Sequence, residues 1–121
     1  MWTFIQSTGQ LLDSTGIEIA IGYSGLGIGK DNPDEEGIKG IGPIPCGFYQ
    51  IGKAINHTKL GELAMPLTPN EDNEMFGRNG FYIHGDSLQH PGQASEGCIV
   101  MPGITRLKID GSDDKTLEVV V

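Results

Sequence analysis

Apolar and polar residues alternate with a period of two in several short stretches, the spacing of strands with one covered face. Trp2, Phe4 and Gln6 alternate with Thr3 and Ile5. Ile17, Ile19 and Ile21 alternate with Glu18, Ala20 and Gly22, the clearest half-buried strand of the set. Leu117, Val119 and Val121 make a third run near the C-terminus. Two further segments, Phe48 to Ile51 and Phe81 to His84, are aromatic and β-branched, as a pleated surface favours. Ser7-Thr8-Gly9-Gln10 and Asp13-Ser14-Thr15-Gly16 read as turns, so the chain is expected to open as a β-meander.

Two stretches break the pattern. Residues 24–45 are rich in glycine, proline and acid (Asp34, Glu35, Glu36), and residues 53–80 hold Pro66, Pro69, Asn70, Asn73 and Gly77. Both read as irregular excursions, and long loops in a compact domain are often functional. Pro102, ahead of Ile104, Leu107 and Lys108, predicts a short helix that stops at Gly111. The expected architecture is one mainly β domain over 1–121, with one or two short helices and long loops.

Composition narrows the function. The net charge of −8 argues against a nucleic-acid surface, which needs clustered Lys and Arg, and against anionic membranes. No stretch reaches the ~20 apolar residues of a membrane span. The Met1-Trp2-Thr3-Phe4 start lacks a basic and apolar export signal, so the expectation is synthesis in the cytoplasm and any export by another route. Cys46 and Cys98 fit neither a zinc ribbon nor a disulfide framework, although one disulfide between them stays open. Gly25-x-Gly27-x-Gly29-Lys30 lacks the spacing of a phosphate-binding loop and reads as flexible.

The chemistry concentrates between Phe81 and Met101. An apolar strand ends in His84-Gly85-Asp86-Ser87, and Ala94-Ser95-Glu96-Gly97-Cys98-Ile99 follows. Glycine beside a cysteine permits a sharp turn and open approach to the sulfur. A histidine nearby can stabilise the thiolate and so lower the cysteine pKa. The imidazole needs a partner to fix its tautomer, for which Asp86, Ser87, Ser95 or a backbone carbonyl are candidates. The backbone N–H groups of Gly97 and Cys98 are the candidate oxyanion donors. A rival reading makes His84 and Asp86, with His57 or His90, a zinc site, although no His-Glu-x-x-His element is present. A third makes the cleft, with the loop at 53–80, a non-catalytic peptide binder.

The His84-Gly85-Asp86 and Ser95-Glu96-Gly97-Cys98-Ile99 elements resemble the active-site signature of the L,D-transpeptidase catalytic domain. Gly42-Pro43-Ile44-Pro45-Cys46-Gly47-Phe48-Tyr49 is similar to the turn and strand ahead of the catalytic strand in that fold. Gly22-Tyr23-Ser24-Gly25, Asn32-Pro33 and Phe76-Gly77-Arg78 extend the likeness to the type VI secretion L,D-transpeptidase effectors. The resemblance implies a β-sandwich or barrel that needs no cofactor or metal. It implies Cys98 as nucleophile and His84 as base, with Ser95 and Asp86 in support. Tyr82, Arg78, Gly85 and Ser87 would contact substrate. The substrate would be peptidoglycan stem peptides, and the partners an immunity protein and a secretion machine that delivers the chain to a rival's periplasm. One departure stands out: where many of these enzymes carry Arg two residues after the cysteine, this chain has Val100, and Arg78 or Arg106 would have to substitute.

Overall fold

The computed structural model describes residues 1–121. Ten strands form one sheet: β1 (Trp2–Ile5), β2 (Gln10–Leu12), β3 (Glu18–Ile21), β4 (Tyr23–Ser24), β5 (Gly47–Ile51), β6 (Ile55–His57), β7 (Gly61–Pro69), β8 (Tyr82–His84), β9 (Ile99–Val100) and β10 (Thr116–Val120). The single α-helix, α1 (Gly103–Asp110), starts after Pro102 and is capped by Gly111, where the sequence marks both ends. The strands run in the order β3-β2-β1-β10-β5-β7-β8-β9-β4, with β6 beside β7.

This order dictates a strong curl. β3 and β4 are the two ends of the path, yet only Gly22 separates them along the chain. The sheet must therefore wrap around its own core, although no ladder closes it into a barrel. Gly22 sits at that seam with its Cα so near β9 that a Cβ would lie 1.8 Å from the Val100 carbonyl. No other residue fits there.

Period-two alternation fills the curl. Trp2 and Phe4 on β1 pair in parallel with Leu117 and Val119 on β10, and all four are buried. Tyr49 and Ile51 from β5, Met65 and Leu67 from β7, Ile83 from β8 and Ile99 from β9 complete one continuous cluster with Ile109 of α1. Burying such a side chain contributes about 1.5–3 kcal/mol, which is what holds β8 and β9 in place beneath the chemistry described below.

Three expectations need correction. The isoleucine run on β3 lies at the sheet edge, with Ile17 63% and Ile21 60% exposed; only Ile19 packs on the core. Alternation shows that a strand has two faces, not that both find partners. Residues 53–80, expected to be irregular, contain the longest strand, β7, folded against β6 as a hairpin. Pro66 is tolerated in β7 because it lies just beyond the end of β5 and needs only its carbonyl, which accepts from the Gly52 N–H at 2.8 Å. The glycine-rich segment after β4 is packed rather than free, since Gly25 and Gly29 both lie against the backbone of Ile41. No helix is long and apolar enough to cross a membrane.

Candidate active site

β8 and β9 pair in parallel, with Ile83 opposite Ile99 and His84 opposite Val100. Alternation then sorts the side chains: Ile83 and Ile99 face the core, while Tyr82, His84 and Cys98 fall on the other face. Those three line one cleft of about 690 Å³. A long separation in sequence becomes a diagonal across two neighbouring strands.

His84 is 2% exposed, and its Nδ1 lies 2.7 Å from the Gly85 carbonyl oxygen. A carbonyl only accepts, so Nδ1 carries the proton and Nε2 keeps its lone pair as the basic atom. The backbone carbonyl, not Asp86, Ser87 or Ser95, fixes this tautomer. Burial holds the imidazole below its ordinary pKa of 6.5, the Gly85 hydrogen bond opposes this, and the Arg106 guanidinium lowers it further.

Cys98 Sγ accepts the Tyr82 N–H at 3.3 Å, and its thiol faces the Gly80 carbonyl at 3.9 Å. Burial raises the thiol above its usual value of 9.0; the Tyr82 N–H lowers it, Glu96 raises it and Arg78 lowers it. Thiol and imidazole share the cleft without a hydrogen bond between them. Both shifts favour the neutral forms, a thiol and an uncharged imidazole, over the ionised sulfur the sequence suggests.

The backbone around Cys98 is held by buried polar side chains. Arg78 Nη2 donates to the Glu96 carbonyl at 3.2 Å, Ser24 Oγ to the Gly97 carbonyl at 2.8 Å, and Ser95 Oγ to the Cys98 carbonyl at 2.5 Å. Three successive carbonyls therefore each have their own donor. Ser95 Oγ also accepts from the N–H groups of Gly25 and Gly97. The Gly97 amide is thereby committed and is not free to serve an oxyanion; the Cys98 amide makes no hydrogen bond and is. Gly97 has φ +136°, and a Cβ there would stand 2.5 Å from Arg78 Nη2. Ser24 appears in the Gly22-Tyr23-Ser24-Gly25 element without a role, because it meets Gly97 across a gap of 73 residues.

Other expected site residues divide. Tyr82 lines the cleft, its ring edge-on to His57 at 5.2 Å. Gly85 supplies the carbonyl for His84 and leaves room for Arg106 Nη2, which a Cβ would meet at 2.7 Å. Arg78 reaches the cleft wall, but its NH groups bond the carbonyls of Glu36, Gly42, Pro43 and Glu96, so it acts on the site by holding these segments together. Asp86 makes no hydrogen bond to His84: it accepts from Tyr23 Oη at 2.6 Å and from the amides of Ser87 and Gly92. Burial opposes its ionisation, but those donors hold its carboxyl below the ordinary range. Ser87 Oγ accepts from the His90 amide in the same loop. Cys46 and Cys98 are both free thiols.

A zinc reading finds no cluster to build on, since no three His, Cys, Asp or Glu side chains converge and Asp86 is turned to Tyr23. No curated protein matches the chain. Residues 18–109, which include β3 to β9 and nearly all of α1, match the Tlde1 domain. With a cysteine and a backbone-fixed histidine on one face of its paired strands, the chain belongs to the Tlde1 domain family, L,D-transpeptidase-like effectors of type VI secretion.

Proposed function

We propose that the chain is a cysteine-dependent enzyme that trims or exchanges the end of peptidoglycan tetrapeptide stems. The observation that carries this reading is the His84 tautomer: Nε2 is unprotonated inside the cleft that holds Cys98. His84 takes the Cys98 proton as sulfur attacks the carbonyl of the L-centre residue. The C–N bond of the tetrahedral intermediate then breaks, and the imidazolium returns the proton to the departing D-alanine amine. A thioester remains on Cys98. Water, deprotonated by His84, releases a tripeptide; an incoming amine instead gives exchange or a crosslink. The Cys98 N–H supplies an oxyanion donor, and a single such donor contributes roughly 10²–10³ in rate.

Trimming and exchange suit an antibacterial effector, because they remove stems that crosslinking needs. Delivery by a contractile secretion machine to a target periplasm, and an immunity protein in the producer, complete the reading. Mass spectrometry of purified tetrapeptide fragments tests it. Wild type should remove one alanine mass and Cys98→Ala should not; equal products from both would overturn the cysteine mechanism.

A further inference from the structure

One functional group in the cleft has no part in the chemistry above. His57 ends β6, and its Nδ1 accepts the backbone N–H groups of Lys59 and Leu60, each at 3.0 Å. Two donors on Nδ1 place the ring proton on Nε2. The histidines thus present opposite edges: His84 offers a lone pair and His57 an N–H. The His57 ring stands edge-on to Tyr82, the residue whose amide meets the Cys98 sulfur. It lines the same cleft as Cys98 and His84, where a group of a bound peptide beside the scissile carbonyl can meet it.

Charge points the same way. Lys30, Arg78, Arg106 and Lys115 spend their charged donors on backbone carbonyls. The one ion pair in the molecule is between the N-terminus and Asp114. Lys39, Lys53, Lys59 and Lys108 are left unpaired, and Lys39 and Lys59 line the cleft. Lys59 shares its turn with His57. Asp86, one of only two acids lining the cleft, is already bound to Tyr23 and backbone amides. In a chain of net charge −8, an anionic substrate meets its unpaired cations here.

We propose that the β6–β7 turn forms a carboxylate-binding subsite, in which His57 Nε2–H and the Lys59 ammonium together read an acidic group of the stem peptide beside the bond to be cut. This rests on the peptidoglycan reading for the ligand but not on Cys98 as nucleophile. The test is therefore binding, measured by calorimetry on Cys98→Ala protein, so that no turnover is required. The ligands are a tetrapeptide stem with internal carboxylates free and the same peptide with them amidated. Amidation should weaken binding about tenfold, the scale of one charge-assisted hydrogen bond. Lys59→Gln and His57→Leu should each cause a similar loss with the free acid and little further loss with the amide. His57→Gln, which keeps a donor, should lose less. Equal affinity for both peptides, no binding of either, or an equal loss in Lys53→Gln, which removes a charge outside the cleft, would overturn the subsite. Intact discrimination by a protein that releases no alanine would leave the subsite standing and sink the enzymatic reading instead.

Discussion

The two cysteines make a natural experiment. Each adjoins a glycine in nearly the same unusual backbone conformation, Gly47 at φ +137° and Gly97 at φ +136°. Each glycine is packed against a polar side chain that a Cβ would strike, Asn73 for Gly47 and Arg78 for Gly97. Burial raises both thiols, Cys46 to about 11. What separates them is the second layer of neighbours. Cys46 lies against the Glu36 carboxylate, which accepts its backbone N–H at 2.7 Å and disfavours a thiolate beside it. Cys98 has an N–H on its sulfur, a guanidinium near enough to favour the anion, and an imidazole base in the same cleft. Burial alone favours an inert thiol; a donor, a cation and a base favour a reactive one.

The largest effect should come from exchanging the roles by deletion. Cys98→Ala should lower stem-peptide turnover by about 10⁴-fold or more, the scale seen when a catalytic nucleophile is removed. Cys46→Ala should stay within about twofold, since the site lacks a base and borders an acid. Turnover measured on both purified variants, with circular dichroism to confirm folding, decides the matter. A collapse of activity in folded Cys46→Ala would erase the contrast.

Arg78 tests the cation. Arg78→Leu removes the donors of four carbonyls, and each buried group left unpaired costs about 1–3 kcal/mol, so a clear loss in urea denaturation is expected. Arg78→Lys keeps the charge but cannot span four acceptors. It should recover part of the Cys98 reactivity and less of the stability. Reactivity unchanged in both would mean that the guanidinium matters only as a brace.

How much of this was legible depends on the range of the contacts. His84 and Cys98 stand out through the resemblance to the L,D-transpeptidases, since their spacing alone says little; the parallel pairing of β8 with β9 is what brings them to one cleft. Helix α1 shows because Pro102 and Gly111 act locally. β7 did not, because Pro66 and Pro69 look like breakers until one knows where β5 ends. The exposure of Ile17 and Ile21 was hidden for a similar reason, since only the strand order reveals an edge. The clamp of Ser24, Arg78 and Ser95 on the carbonyls of residues 96–98 was least visible, because Ser24 and Arg78 reach that loop from distant segments.

The smallest effect is also the finest discriminator between the thiols. With Cys98 raised above 9.0 by burial, its alkylation by iodoacetamide should still be accelerating at pH 9, because only the thiolate reacts. Cys46, at about 11, should react more slowly at every pH below that. Turnover should follow a different curve. The competent free enzyme needs His84 unprotonated, and burial lowers its pKa, so the acid limb of kcat/KM should fall below 6.5. Between that limb and the thiol's own ionisation the profile should be flat. If alkylation of Cys98 instead levels off below pH 8, the sulfur is already paired with an imidazolium at rest, and the Tyr82 and Arg78 contacts outweigh burial.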